Sequence, residues 1–212
     1  MKMRTVFLAA TIAALSTDAV YAETNDHNSA EHAIEHQQMI NMFGGAIYTG
    51  EPALEVTAAL VKAGGGAENF NFANALVSML GEEIVNAEVA KLKKQYGEEA
   101  VYTFMGGMDT TVNLGLKRAT EAGVTLPEPA NLSGVELAKT LVNAGTASDG
   151  KFWSGYLFDK ALSHEIHNQV MMDLNVKVSY ESDKNTHKIL NQAMYDVAQA
   201  LGMNDVKLAD LH

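Results

Sequence analysis

Apolar residues recur at helical spacing along most of the chain, and the clearest such run spans residues 151–177. This pattern predicts one long helix. At about 100° per residue, His164, His167 and Met171 fall in one narrow stripe with Lys160, beside a broad apolar face. The predicted helix is therefore apolar over much of its circumference and carries a His-His-Met line along one edge.

The other predicted helices begin at capping residues and end at helix breakers. Ser133 and Glu136 form a capping box, and the pair Gly106-Gly107 predicts a kink or a close helix contact. A polar break is expected at 180–185, and no strand is predicted. The other helices are expected near residues 30–43, 52–63, 70–96 with a bend at Gly81, 98–122, 134–145 and 186–202. We therefore expect an all-α fold of about eight helices.

The two halves of the chain resemble each other. Leu60–Gly64 reads LVKAG and Leu141–Gly145 reads LVNAG, and after one inserted residue Phe70 aligns with Phe152. The same alignment matches four more residues, namely Glu83, Ile84, Asn86 and Leu92 with Glu165, Ile166, Asn168 and Leu174. An internal duplication would give two related helical units around a shared core, at 23–122 and 133–212, joined by a linker at 123–132.

The first 22 residues have the three parts of an export signal. Lys2 and Arg4 give a positive start, an apolar run follows, and Val20 and Ala22 fit a small-residue cleavage site. The apolar run is too short to span a bilayer. We therefore expect cleavage after Ala22, a periplasmic or secreted mature chain, and no membrane insertion after cleavage.

The amino-acid composition excludes several kinds of binding site and partner. The chain has no cysteine, which excludes disulfides and thiolate ligands. Its formal net charge is −11, and such a surface repels phosphate backbones and anionic lipid headgroups. Nucleic acid is therefore not expected as a partner. Cations or basic proteins are better candidates, and the alternative is that the acidic surface serves only solubility.

The His-His-Met stripe is the best candidate site. Imidazole binds zinc, copper, iron and nickel, and a thioether favours Cu(I). His164 and His167 share a helix face, Met171 follows them, and His187 can join if the last helix folds back. A weaker candidate set is His32, His36 and Met39. Asp159, Glu165 and Asp173 fall off the stripe and are second choices as ligands.

Two functions of different classes fit this pattern. The first is an exported binding protein for a transition-metal ion (copper or zinc) or haem. The second is a non-catalytic interaction or structural protein of the envelope, with the histidine stripe at a protein interface. An enzyme ranks last, because no acid–base pair is evident and the segment His164–His167 is not the H-E-x-x-H of zinc proteases.

Overall fold

The computed structural model describes residues 48–175 and 180–209, and it describes side chains for residues 48–174 and 186–209. Eight helices lie in this part of the chain: α1 (Leu54–Ala63), α2 (Phe72–Leu80), α3 (Glu82–Tyr96), α4 (Glu98–Glu121), α5 (Gly134–Gly145), α6 (Ser154–Leu162), α7 (His164–Asn175) and α8 (Tyr180–Ala200). Two strands of two residues each, β1 (Lys151–Phe152) and β2 (Lys207–Leu208), pair in parallel. The predicted helical fold is confirmed.

Side chains from both halves of the sequence form the main core. Phe104 of α4, Val142 of α5, Phe152 of β1 and Ile189 of α8 are all at most 2% exposed. Each large apolar side chain buried in this way contributes about 1.5–3 kcal/mol to folding. Helix α4 packs against α3, α7 and α8, and α6 packs against α1, α5 and α7. The core therefore joins helices that are distant in sequence.

Among the residues described here, no helix is both long enough and apolar enough to cross a bilayer.

The core contains a cavity of about 80 Å³. Every described helix except α3 contributes to its wall. The lining is almost entirely apolar and includes Met79, Met108 and Met194. Among the described residues that line it, His167 is the only ionisable one. The long flexible side chain of methionine fits irregular spaces of this kind.

The connections that precede α2 and α6 have the same close contact. A Cβ atom on Gly64 would come within 2.4 Å of the Phe70 ring, and one on Gly145 within 2.2 Å of the Phe152 ring. Only a glycine allows an aromatic ring to approach the end of the helix so closely. The matching residues LVKAG and LVNAG therefore end in the same local packing.

The first residues of α2 and α6 are held in the same way. The backbone N–H of Phe72 donates to Asp109 Oδ1 at 2.6 Å, and that of Ser154 donates to Asn191 Oδ1 at 3.0 Å. In both cases a side chain from a later helix satisfies a backbone N–H that a helix start leaves unpaired. Both helices are nine residues long.

Several predicted elements agree with the structure, and others do not. The Ser133–Glu136 capping box is present, with both of its hydrogen bonds. The polar break expected at 180–185 is wrong, because α8 begins at Tyr180 in a stretch without glycine or proline to stop a helix. The two short strands were missed, since they arise from contact between distant segments. The helix expected at 30–43 lies outside the described residues.

The glycines within α4 differ in how closely they approach neighbouring helices. A Cβ on Gly106 would meet nothing within 4 Å, and one on Gly107 only the Thr186 hydroxyl at 3.9 Å. The close helix contact predicted there is therefore wrong. It lies two turns later, where a Cβ on Gly115 would come within 2.7 Å of Leu162.

A pair of carboxyl groups lies between α3 and α8. Burial, together with the hydrogen bond and negative charge of Asp196, raises the pKa of Glu88 to about 7 from its ordinary 4.5. Lys91 forms an ion pair with Asp196 and partly offsets this effect. The folded chain therefore binds the Glu88 proton more tightly than the unfolded chain.

We expect the folded protein to lose stability as the pH rises from about 4.5 to about 7. In this range unfolded Glu88 releases its proton and folded Glu88 keeps it, so that each rise in pH favours unfolding. The variant Glu88→Gln has no such proton to lose. The melting temperature of this variant minus that of the unsubstituted chain should therefore be larger at pH 8 than at pH 5.

The matched control is Glu99→Gln, which changes an exposed glutamate at the start of α4. Its effect on the melting temperature should be the same at both pH values. An equal pH dependence in the two variants would contradict the assignment to Glu88.

Candidate functional site

The site is built on the junction between α6 and α7. The two helices are separated by one residue, Ser163, whose φ of +121° is unusual for a residue other than glycine. Its backbone N–H donates to the backbone carbonyl of Asp159 and closes α6, and its hydroxyl accepts from the backbone N–H of Ile166 in the first turn of α7. Ser163 thus ends one helix and begins the next.

This junction corrects the prediction of one helix over residues 151–177. On a continuous helix, Asp159 would lie about 140° from His164 and about 80° from His167. The change of direction at Ser163 brings the Asp159 carboxylate to both imidazoles. Asp159, expected to lie off the stripe, is therefore the residue to which both histidines bind.

One carboxylate oxygen is the centre of the group. Asp159 Oδ1 lies 2.6 Å from His167 Nδ1 and 3.2 Å from His164 Nδ1. The other oxygen, Oδ2, accepts the backbone N–H of Tyr48 at 3.3 Å. The side chains of Asp159, His167 and His164 are 3%, 5% and 20% exposed, so the group lies below the surface with His164 at its outer side.

The short contact between His167 and Asp159 determines which ring nitrogen of His167 carries a proton. At 2.6 Å, a hydrogen bond to the carboxylate requires the proton on Nδ1. In the neutral ring, Nε2 then carries a lone pair. This Nε2 is buried and has no hydrogen-bond partner in the described structure. A buried nitrogen without a partner costs free energy.

The second imidazole has a partner on its outer nitrogen. Asn168 Nδ2 lies 3.0 Å from His164 Nε2, one helical turn further along α7. The amide oxygen of the same asparagine is buried and has no hydrogen-bond partner among the described atoms. Rotation of this amide by half a turn would present its oxygen to His164 instead.

Aromatic and apolar groups surround His167. The Phe158 ring lies 5.5 Å from the imidazole, tilted by 32°. A Cβ atom on Gly155 would lie 3.6 Å from His167 Cε1, which is an ordinary van der Waals contact. These neighbours exclude water from the imidazole and strengthen its bond to Asp159.

The remaining predicted ligands have other surroundings. Met171 is buried in a small apolar cluster with Leu162, Ile166 and Val170. His187 Nδ1 lies 2.6 Å from the hydroxyl of Ser154, and His187 is not part of the group around Asp159. The weaker set, His32, His36 and Met39, lies outside the described residues.

The structure therefore brings together Asp159, His164 and His167. One donor atom from each lies within 4.8 Å of the others, which is close enough for a single metal ion to reach all three. The sequence contained one signal for this arrangement. Ser163 is a preferred helix N-cap residue and Glu165 fits the first turn, so a helix start at 164 was readable.

Comparison of the chain with protein-family models, with curated proteins and with solved structures found no match.

Proposed function

We propose that this protein binds a divalent transition-metal ion through Asp159, His164 and His167. The observation that supports the proposal is the meeting of two imidazoles and one carboxylate from two different helices, all within 4.8 Å. Imidazole with carboxylate suits zinc, copper, nickel and iron, and three protein donors leave coordination positions open. The ligand set thus contains Asp159 in place of Met171 and His187.

Binding requires small changes that the neighbouring atoms permit. A metal ion held by Asp159, His164 and His167 would occupy the Nδ1 side of both rings, and the 2.6 Å contact between Asp159 and His167 would lengthen. The single proton of each neutral imidazole would then sit on Nε2 instead of Nδ1. For His164, the unpartnered oxygen of Asn168 would accept that proton and orient the ring as an outer-shell partner.

The dimensions of the site favour an ion over haem. The cavity beside His167 has a volume of about 80 Å³, far too small for a porphyrin ring. The aromatic neighbour Phe158 is packed against His167 instead of lining an open slot. We therefore retain the metal ion and not haem as the proposed ligand.

The burial of the stripe also favours the ion over a protein interface. An interface needs the side chains on the surface, whereas His167 is 6% exposed and Met171 is 4% exposed. Of His164, His167 and Met171, only His164 has appreciable exposure. A partner protein would therefore reach one of these three side chains.

We further propose that the chain is exported and that residues 1–22 are removed. The support is the positively charged start, the short apolar run and the small-residue cleavage site. Intact-mass measurement of protein recovered from the periplasm of an expressing bacterium should give a chain that begins at Glu23. A chain that keeps Met1 and stays in the cytoplasm would contradict export.

An internal duplication is the third part of the proposal. It is supported by the two glycine–phenylalanine contacts and by the two helix starts held from Asp109 and Asn191. The one-residue junctions at Gly81 and Ser163, both with positive φ, also align. An alignment of homologous chains should keep both glycine–aromatic pairs. Homologues with no trace of the pattern in either half would contradict the duplication.

The metal proposal predicts a large loss of affinity when any of the three ligands is removed. Calorimetric titration with Zn²⁺, Ni²⁺ and Cu²⁺ should give one site per chain for at least one of these ions. Asp159→Asn, His164→Ala and His167→Ala should each weaken binding by more than the roughly 10- to 100-fold that loss of an outer-shell partner causes.

Met171→Leu is the matched control, because it conserves volume in an apolar cluster and removes the only thioether of the stripe. Its metal affinity should equal that of the unsubstituted chain. Unchanged affinity in all three ligand variants would remove the proposal. Weakening by Met171→Leu would restore the ligand set expected from the sequence.

A further inference from the structure

We propose that residues 48–53, which precede α1, position Asp159 so that it gives the metal ion one oxygen, Oδ1, and that the bound ion is four-coordinate. We name these residues the anchoring segment. The inference rests on the proposed metal binding, and it adds the number of protein donors and the geometry of the ion.

The two oxygens of Asp159 have different neighbours. Oδ1 faces both imidazoles, at 2.6 Å from His167 Nδ1 and 3.2 Å from His164 Nδ1. Oδ2 accepts the backbone N–H of Tyr48, the first residue of the anchoring segment, at 3.3 Å. One oxygen is thus directed at the other proposed ligands, and the second is held by the backbone.

The anchoring segment is itself fixed to α6 at both of its ends. At one end the Tyr48 ring packs edge-on against the Tyr156 ring, with centroids 5.5 Å apart, and Lys160 Nζ lies 5.2 Å from the centroid of the Tyr48 ring. At the other end the Ala53 N–H donates to the Lys160 carbonyl at 2.7 Å. The Tyr48 N–H is therefore held beside the helix that carries Asp159.

This arrangement opposes binding through both carboxylate oxygens. Both oxygens can face one ion only if the carboxylate turns about its Cβ–Cγ bond, and that turn moves Oδ2 away from the Tyr48 N–H. The Asp159 side chain is 3% exposed, so little water reaches Oδ2 to replace the lost donor. A hydrogen bond to an ionised carboxylate is also stronger than one between neutral groups. Asp159 therefore binds the ion through Oδ1 alone.

The ion then has three protein donors, namely Oδ1 of Asp159 and one imidazole nitrogen each from His164 and His167. Zinc sites with three protein donors take a fourth donor from water or a substrate and are tetrahedral. His164 is the most exposed of the three side chains, so the fourth donor arrives from its side of the site. The site thus has the geometry that Zn²⁺ prefers, whereas Cu²⁺ prefers a tetragonal one.

The test uses Co²⁺ in place of Zn²⁺, because four-coordinate Co²⁺ absorbs visible light far more strongly than six-coordinate Co²⁺. The whole unsubstituted chain with bound Co²⁺ should show the strong visible bands of the four-coordinate ion. A weak six-coordinate spectrum at full occupancy would overturn the proposed geometry. Absence of Co²⁺ and Zn²⁺ binding would overturn the metal proposal, and this inference with it.

The role of the Tyr48 N–H is tested by a matched pair of variants, Tyr48→Pro and Tyr48→Ala. Both remove the ring, but only proline lacks the backbone N–H. Tyr48→Pro should bind Co²⁺ roughly 10- to 100-fold more weakly than Tyr48→Ala, as for loss of an outer-shell partner, and its visible bands should be weaker at full occupancy. Equal affinities and equal spectra in the two variants would overturn this inference alone.

A second comparison separates positioning of Asp159 from general support of the fold. The Thr57 hydroxyl, in α1, donates to the Ala161 carbonyl at 2.6 Å and does not contact Asp159. Thr57→Val should lower the melting temperature of the metal-free chain and leave the Co²⁺ affinity and spectrum unchanged. A change in the spectrum as large as that of Tyr48→Pro would overturn the positioning role.

Circular dichroism of the metal-free variants shows whether each one folds. If Tyr48→Pro does not fold, Ala53→Pro replaces it, because this change removes the other backbone donor of the anchoring segment. Its Co²⁺ affinity and visible bands should also fall, relative to Ala53→Gly, which keeps the N–H. Identical affinities and spectra in this pair would likewise overturn the inference.

Discussion

A buried carboxylate must find hydrogen-bond donors, and Asp159 organises much of the molecule around that requirement. Its two oxygens bind imidazoles from α7 and a backbone N–H from the segment before α1. Nearby, the Ala53 N–H donates to the carbonyl of Lys160 at 2.7 Å. The α6–α7 corner is thereby joined to the beginning of the described chain. Removing one hydrogen-bond partner of a buried charge destabilises the fold, because the groups left behind are desolvated and unpaired.

The three proposed ligands depend on a backbone conformation that is itself costly. Ser163 occupies a region of φ that residues with a side chain seldom adopt. The strain is offset by its hydroxyl, which caps α7, and by the hydrogen bonds that the turned helices then form with Asp159. A glycine, Gly81, occupies the one-residue junction between α2 and α3 without that steric cost. The half that carries the imidazoles is thus the half with the more constrained junction.

The features that the sequence predicted correctly are local ones. The Ser133–Glu136 box needs only four consecutive residues, and the helices bounded by Gly97 and by Gly145 follow from composition and punctuation. The placement of His164 and His167 on one helix was predicted, because their spacing does not depend on the rest of the fold. Their common partner was not, since its position depends on a change of direction at one residue. Ser163 as a helix N-cap and Glu165 in the first turn indicated a helix start at residue 164. The apolar periodicity that continues through these residues favoured a single helix instead.

Other features depend on contacts that no short pattern encodes. The close approach of α4 to α6 occurs at Gly115, whereas the more conspicuous Gly106-Gly107 pair has no contact of that closeness. Parallel pairing of β1 and β2 joins segments more than fifty residues apart. The cavity beside His167 is a property of the seven helices that surround it together. Such features follow from tertiary packing and become visible only when the helices are placed.

The short parallel pairing has a consequence for the order in which the molecule forms. The N–H of Lys207 donates to the carbonyl of Gly150 just before α6, and Val206 and Ala209 are buried nearby. The entry to α6, and with it the corner that holds the imidazoles, is thus braced by a segment that follows α8 in the chain. A growing chain that has not yet reached Lys207 lacks this brace. The corner can therefore become complete only after all eight described helices have been synthesised.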